Sequence, residues 1–216
     1  MIITVFCLLF ILLILNFTFI KSYFEKMPSD FYYKAEIFSL DNFYNVEEGN
    51  FIGSQISKSK FYYETILNEE DVLIIKNVFE VRQITGDKIF YIERLYGIDR
   101  ATGRHIDGYG DKNREGYLFA PKRLNKEDSF IYWHVNYDSP ARMIFQNQEY
   151  LYGLKTYRYS ADYNSDQTEN LIHLPLVGKE RGIELDIHLE IWIEPITGRL
   201  IKYEDNTIAH YYDLKT

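Results

Sequence analysis

The chain has 216 residues, 46% hydrophobic and 17% aromatic, so it is long enough to bury one sizeable core and does not have a disordered composition. Its 24 basic and 32 acidic residues give a formal net charge of −8, which argues against binding to a nucleic-acid backbone, because such binding needs a positive surface. The single cysteine, Cys7, excludes an intramolecular disulfide.

The first twenty residues carry the strongest local signal. The run from Ile2 to Ile20 has nineteen residues without a charge, enough for a helix that crosses about 30 Å of hydrocarbon. A cleaved signal peptide would have a shorter apolar core and a small-residue site before Lys21, so the run favours a retained, single-pass anchor. We predict a transmembrane anchor and tether over residues 1–26 and an antiparallel β domain over residues 27–216.

The remainder of the chain has the pattern of a β protein. No segment after residue 26 keeps apolar residues at helical spacing for three turns, and apolar residues instead recur at every second position. The predicted fold is mainly β: an antiparallel sheet, arranged as a sandwich or half-barrel, with at most one short helix. Strands are predicted at residues 31–38, 60–67, 72–84, 88–98, 130–136, 141–146, 149–161, 183–194, 200–203 and 207–214, with long loops at 106–128 and 164–181.

Two copies of one turn pattern punctuate these strands. The stretch from Ile183 to Glu194 alternates apolar residues with mostly acidic ones and then meets Pro195-Ile196-Thr197-Gly198-Arg199. Upstream, the strand at residues 88–98 meets Asp99-Arg100-Ala101-Thr102-Gly103-Arg104. An acid-x-x-Thr-Gly-Arg sequence after a strand predicts a hairpin, because glycine tolerates the positive φ that a tight turn requires.

Aromatic residues are the candidates for binding a ligand. Tyr132, Trp133, Tyr157 and Trp192 lie on predicted strands, where flat rings could line a groove for sugars or acyl chains. The structural alternative is that these rings are core residues or cross-strand pairs, and the sequence favours that alternative.

The polar loop after residue 104 is the candidate for a cation site. Asp111, Asn113 and Glu115 repeat the first half of a calcium loop, but Lys122 stands where a bidentate Glu is needed. His105 and Asp107 could supply two ligands of a transition-metal site. An ordinary solvated loop is favoured over either site, and no cofactor is predicted.

Catalytic signatures are missing from the sequence. It has no Gly-x-Ser-x-Gly motif, and Ser129 and Ser139 have no base at motif spacing. A hydrolase or metalloenzyme would need at least three of a small set of side chains to converge, and the sequence favours a protein that is not an enzyme. That set is His105, Asp107, His134, His173, His188 and His210.

A series of short motifs, in their order along the chain, resembles the porin PorA family, a family with a domain of unknown function. The motifs are Tyr96-Gly97-Ile98-Asp99-Arg100-Ala101-Thr102-Gly103, Leu118-Phe119-Ala120-Pro121, Ile131-Tyr132-Trp133, Tyr152-Gly153-Leu154-Lys155-Thr156-Tyr157 and Trp192-Ile193-Glu194-Pro195-Ile196-Thr197-Gly198. The resemblance implies an extracytoplasmic β-rich domain on an N-terminal helix. Lys21 and Lys26 alone would place the domain in the cytoplasm under the positive-inside rule, so the orientation depends on the resemblance.

Two functions are compatible with these features. The first is a non-enzymatic cell-envelope protein, anchored by Ile2 to Ile20, whose β domain binds another envelope protein or a second copy outside the membrane. The second is a carrier or sensor of lipid or another small ligand, as the likeness of residues 191–200 to a hairpin of lipoprotein-carrier half-barrels implies. A pore is disfavoured, because the apolar helix and the charged strand faces suit a water-exposed domain on a stalk.

Overall fold

The computed structural model describes residues 26–45, 48–173 and 181–215 and contains ten strands in these ranges. The strands form two five-stranded antiparallel sheets, so the prediction of a mainly β, antiparallel fold is confirmed. The first sheet contains β1 (Tyr32–Asn45), β2 (Asn50–Glu69), β3 (Val72–Gln83), β4 (Lys88–Asp99) and β5 (His105–Gly110). The second contains β6 (Phe130–His134), β7 (Ser139–Leu151), β8 (Leu154–Asp166), β9 (Arg181–Glu194) and β10 (Arg199–Asp213).

Both sheets are meanders in which each strand pairs with its neighbour in the chain. The first has the order β1-β2-β3-β4-β5 and the second β10-β9-β8-β7-β6. Tyr117 forms an antiparallel bridge with Arg104 and a parallel bridge with Tyr132, so it connects the two sheets at their inner edges. A short 3-10 helix, Thr168–His173, lies between β8 and β9.

The second sheet buries the alternating row predicted for residues 183–194. Ile183, Leu185, Ile187, Leu189, Ile191 and Ile193 are all buried, with relative exposures of 6% or less. They pack with residues of β6, β7 and β8 in one apolar cluster, the second-sheet cluster. Burial of one such side chain contributes roughly 1.5–3 kcal/mol, so this row is a major part of the folding free energy.

The first sheet has a smaller cluster, the first-sheet cluster. Leu73 and Ile75 of β3 and Tyr96 and Ile98 of β4 are fully buried there, beneath Trp133 from the second sheet. Farther along β3, Phe79 stacks on Phe61 of β2 with ring centroids 4.6 Å apart. Leu73 and Ile75 are two residues apart on β3 and therefore lie on the same face of the strand, which is the buried one.

Both acid-x-x-Thr-Gly-Arg sequences form the predicted hairpin turns. In each, the acidic side chain accepts hydrogen bonds from the N–H and the hydroxyl of the threonine: Asp99 Oδ1 from Thr102, both at 2.7 Å, and Glu194 Oε2 from Thr197, at 2.8 and 2.6 Å. Gly103 and Gly198 have φ values of 76° and 73°. The two turns therefore have the same construction, between the fourth and fifth strands of their sheets.

One segment, residues 117–124, contacts both turns. Leu118 N–H donates to Gly103 O at 3.1 Å, and Leu124 N–H donates to Pro195 O at 2.8 Å. Leu118 belongs to the first-sheet cluster, whereas Leu124 belongs to the second-sheet cluster. This linking segment thus joins the turns and cores of the two sheets.

Four details of the strand prediction were wrong. No strand was predicted over residues 39–45 and 50–59, which form the distal part of the hairpin between β1 and β2. Residues 149–161 are not one strand, because Tyr152 and Gly153, both with positive φ, form the turn between β7 and β8. Residues 200–203 and 207–214 are not separate strands but parts of β10. The region assigned to a loop at residues 106–128 begins with most of β5.

The predicted N-terminal anchor lies outside the described residues. The described ranges contain no helix with the length and hydropathy of a membrane span.

Candidate functional site

The turn between β6 and β7 lies at the junction of the two sheets. Neighbouring residues on β6 point to opposite sides, as in any strand, so Trp133 packs in the first-sheet cluster and Tyr132 in the second-sheet cluster. The polar residues that follow reach in both directions. Asp138 contacts the first sheet, and His134 contacts β8 and β10.

Asp138 is the centre of a buried group of charges. Its carboxylate accepts hydrogen bonds from Arg114 Nε at 2.8 Å and Nη2 at 3.1 Å, and from Trp133 Nε1 at 2.7 Å. Lys112 Nζ lies 2.8 Å and Arg94 Nε 3.4 Å from Asp138 Oδ2. We call these five residues the junction cluster; in it three cations from residues 94–114 surround one anion from the turn between β6 and β7.

The cations set the ionisation of Asp138. Burial raises the pKa of its carboxyl, but the hydrogen bond from Arg114 and the charges of Arg94 and Arg114 outweigh burial and lower the pKa to about 2. The carboxylate is therefore ionised at neutral pH. Arg94 also donates to Val135 O at 2.6 Å, which adds a second contact between the sheets.

The rings around Arg114 complete this junction. Its guanidinium carbon lies 4.4 Å from the centroid of Tyr96 and 5.7 Å from that of Trp133. His105 packs against both rings, with centroids 5.7 Å apart in each case. Burial, followed by the positive charge of Arg114, lowers the pKa of His105 to about 4, so its imidazole is neutral at pH 7.

A second polar network extends from the same turn into the second sheet. His134 is fully buried, and its ring nitrogens lie 2.5 Å from the hydroxyls of Tyr163 and Tyr203. The Tyr203 hydroxyl also donates to Asp205 Oδ2 at 3.0 Å. Burial raises the pKa of Tyr163 and of Tyr203, so both hydroxyls remain protonated donors.

The bonding in these networks explains what they do. Their donors and acceptors bond mainly to each other and to main-chain groups. In these two networks, no serine or cysteine is hydrogen-bonded to a base that could activate it as a nucleophile. A buried, mutually bonded set of charges fixes geometry, and here it fixes how the two sheets meet.

The four aromatic candidates are not brought together. Tyr132 and Tyr157 are buried in the second-sheet cluster, and Trp133 is buried in the first-sheet cluster. Trp192 lies on the strand face opposite Ile191 and Ile193, where Lys202 Nζ and the Arg158 guanidinium lie 4.1 and 5.3 Å from its ring.

The five candidates in the polar loop are also dispersed. His105 is buried between rings, Asp111 accepts from Arg114 and from Leu95 N–H, and Asn113 accepts from Gly108 N–H at 2.8 Å. Asp107 and Glu115 are exposed. Elsewhere, His188 pairs with Asp162 and His210 with Asp186. Across the ranges that the structure describes, no three His, Cys, Asp or Glu side chains are grouped for a metal ion.

The other distinctive feature is the outer edge of the first sheet. Thr65 N–H donates to Phe31 O at 2.9 Å, so odd-numbered residues of β1 direct their main-chain groups towards β2. The even-numbered residues, including Lys34, Glu36, Phe38 and Leu40, direct theirs outward. Among the described strands, none lies on that side of β1.

Large apolar side chains accompany this open edge. Phe38 and Leu40 are 66% and 70% exposed, and Tyr32, Tyr33 and Ile37 are also exposed. Strand edges in soluble proteins are usually protected by charges, proline or bulges. β1 has no proline and no register shift before Phe43, and its charges Lys34 and Glu36 are paired with each other and with Lys58 of β2. The local sequence of β1 does not distinguish it as an edge strand, because strand order depends on pairing between distant residues.

A shallow depression of about 220 Å³ lies on the first sheet, lined by Lys34, Lys60, Phe61, Tyr62, Val78 and Glu80. Three of these six residues are charged, so the lining is not that of an apolar cavity.

Comparison with known proteins gives no matching family model and no matching curated protein.

Proposed function

We propose that this is a non-enzymatic, membrane-anchored protein of the cell envelope whose β domain binds an extended polypeptide strand along β1. The observation that carries the proposal is the open edge, with its outward main-chain groups and exposed apolar side chains. Strand addition uses these two elements: main-chain hydrogen bonds supply affinity, and side-chain contacts supply selectivity. The partner strand belongs to another envelope protein or to a second copy.

The opposite edge of the fold is less suited to this role. β10 has a register shift between Leu200 and Lys202, which interrupts regular pairing. Its residues Tyr203, Asp205 and Thr207 are bonded into the polar network around His134. β1 therefore combines an open edge with exposed apolar side chains better than β10.

A carrier function is less well supported. A cavity for an acyl chain has a volume of several hundred Å³ and an apolar lining. The depression of about 220 Å³ has charged residues in its lining, and the interior faces of both sheets are filled by large side chains. In this proposal the two sheets form a sandwich or half-barrel, and the resemblance to the PorA family supports a domain of this kind.

The location is proposed from the sequence. The run from Ile2 to Ile20 has the length and apolarity of a single membrane span, and the resemblance to the PorA family implies that the β domain is extracytoplasmic. The absence of enzymatic activity is proposed from the junction cluster, whose charged groups bond to one another.

The test compares two substitutions of Phe38 in the full-length, detergent-extracted protein. Phe38→Ala removes the exposed ring and keeps the outward N–H, whereas Phe38→Pro removes both, and proline is tolerated where an edge N–H faces away from the sheet. Native mass spectrometry of the wild type should show a bound second copy or partner chain. Phe38→Ala should weaken this complex, and Phe38→Pro should weaken it further.

Ile84→Ala is the matched control, because Ile84 is 70% exposed but follows β3 instead of lying on the edge. It should leave the complex intact. Strand addition is contradicted if the wild type carries no other polypeptide. It is also contradicted if Phe38→Ala and Phe38→Pro weaken the complex equally. Co-purified lipid in place of a polypeptide would support the carrier function instead.

A further inference from the structure

The described chain begins beside the first of the two matched turns. Lys26 Nζ lies 2.6 Å from Asp71 Oδ1, at the turn between β2 and β3. Met27 N–H donates to Arg100 O at 2.8 Å, and Arg100 Nε donates to Met27 O at 2.6 Å. The start of the domain is therefore fixed at the end of the first sheet where β4 turns into β5.

The second matched turn lies close to this point. Lys122 Nζ donates to Ala101 O at 3.2 Å, and the next residue, Arg123, donates from its N–H to Ile196 O at 3.1 Å. The two turns are therefore close together, because Lys122 contacts the first turn and the adjacent Arg123 contacts the second. The turn between β9 and β10 therefore lies at the same end of the molecule as residue 26.

The turn between β7 and β8 is a neighbour of the turn between β9 and β10. Tyr157 pairs with Ile193 across β8 and β9, and Leu151 pairs with Leu154 at the hairpin. Residues just before Tyr157 must therefore lie beside those just after Ile193. We call residues 150–154 and 194–200 together the turn surface.

The turn surface is apolar and exposed. Tyr152 is 88% and Ile196 71% exposed, and Tyr150, Leu154 and Leu200 are exposed as well. Its one acidic residue, Glu194, directs its carboxylate into its own turn, towards the N–H groups of Ile196 and Thr197. In a chain with a net charge of −8, a surface that combines large apolar side chains with no outward carboxylate is distinctive.

We propose that the turn surface lies in the headgroup region of the lipid bilayer, with Tyr152 and Ile196 inserted. This inference rests on the membrane anchor of the proposed function. Seven residues lead from Ile20 to Met27, and at 3.3–3.6 Å per residue they reach about 25 Å at most. The fixed end of the domain, and the turn surface beside it, is thereby held close to the membrane.

The side chains match that environment. Tyrosine has an apolar ring and a polar hydroxyl, and this combination is enriched where hydrocarbon meets headgroups. Arg199 and Lys155 are exposed on or next to the turn surface, where cations meet lipid phosphates. A lipid surface therefore accounts for the apolar residues of the turn surface and for these two cations, and the length of the tether accounts for the contact.

The test places a polarity-sensitive fluorophore at single cysteines in the full-length protein, with Cys7→Ser as background. Ile196→Cys and Tyr152→Cys probe the turn surface. Ile84→Cys is the matched control, because Ile84 is as exposed as Ile196 but lies at the opposite end of β3 from Val72, about 40 Å away. The protein is placed in vesicles of phosphatidylcholine with a minority of phosphatidylglycerol, with and without nitroxide-labelled phosphatidylcholine.

We expect the probes at 152 and 196 to shift to shorter wavelength and to lose more than half of their fluorescence to the nitroxide lipid, while the probe at 84 is unchanged. A blue shift without quenching would mean that protein covers the turn surface, and it would overturn the inference. Water-like emission at all three positions would overturn it too.

Flotation of the same vesicles separates this inference from the anchor. If the protein floats with the lipid after alkaline washing but the probes at 152 and 196 have water-like emission, the anchor is retained. That result refutes only the lipid contact of the turn surface. Protein that does not float refutes both.

Discussion

Asp138→Asn should be among the most damaging single substitutions in the β domain. The change keeps the size of the side chain and removes its charge, so Arg94, with a side-chain exposure of 4%, loses its anion, and Arg114, with an exposure of 1%, keeps only its ion pair with Asp111. The lowering of the Asp138 pKa from 3.8 to about 2 corresponds to roughly 2.5 kcal/mol of folding free energy at neutral pH. Uncompensated buried charge raises the expected loss to about 3–5 kcal/mol.

Urea unfolding of the full-length protein in detergent, followed by tryptophan fluorescence, measures this loss. Trp133 donates to Asp138, so its emission also reports the junction cluster directly. Asp162→Asn is the control, because Asp162 has a side-chain exposure of 80% and its pair with His188 should be worth less than about 1 kcal/mol. If both substitutions cost the same, the junction cluster does not hold the sheets together as argued.

The same variant has a defined pH dependence. Because the folded pKa of Asp138 is lowered, its stabilising contribution is fully present above about pH 4 and is lost as the pH falls towards about 2. The stability difference between wild type and Asp138→Asn should therefore shrink over this window. A difference that stays constant down to pH 2 would show that the charge of Asp138 is not its source.

Two further predictions concern the histidines and the turns. In an NMR titration the imidazole of His105, buried near Arg114, should have its midpoint near pH 4, whereas the hydrogen bond to Asp162 raises the pKa of His188; midpoints in the reverse order would contradict the burial of His105. Gly198→Ala should cost about 2–5 kcal/mol in urea unfolding, because a Cβ there would lie 2.5 Å from a main-chain oxygen at positive φ. Gly103→Ala is the matched control, with a similar φ and a nearest atom 3.6 Å away, and should cost only about 1–2 kcal/mol; equal costs would contradict the tight docking of the second turn.

The parts of the fold that follow from local chemistry were predictable from the sequence. Strict alternation identified the buried row of β9, because a one-residue slip would move every isoleucine and leucine of that row into water. The Thr-Gly-Arg turns were predictable because glycine at positive φ and an acid that bonds the threonine N–H define the turn within six residues.

Pairings between distant residues were not predictable. Arg94, Arg114 and Asp138 span 44 residues of sequence, and their contact depends on how the sheets meet. A usable signal did exist on β4. Arg94 shares its face with Tyr96 and Ile98, both fully buried, and a cation on an apolar row requires a buried anion. Ile89, Tyr91, Glu93 and Leu95 form the other face of this strand.

Two errors in strand assignment arose where the local sequence does not indicate the structure that forms. The distal half of the hairpin between β1 and β2 is rich in Ser, Asn and Gln, so it lacked the apolar alternation by which the other strands were recognised. Tyr152 adopts a φ of 52°, which tyrosine disfavours, so the residue type does not indicate a turn there. Tertiary pairing of β7 with β8 overrides that local preference.

The two proposals together restrict how a partner strand can run. β1 starts near the turn between β2 and β3, where Lys26 is bound, and β10 also starts at the turn surface, so both edge strands lead away from the proposed membrane end. Two copies in one bilayer would then present their edges in the same direction, and their pairing along β1 would be parallel. Antiparallel pairing, which is slightly more stable per residue, requires a partner strand that runs towards the membrane. A different envelope protein that supplies such a strand is therefore a better geometric match to β1 than a neighbouring copy in the same membrane.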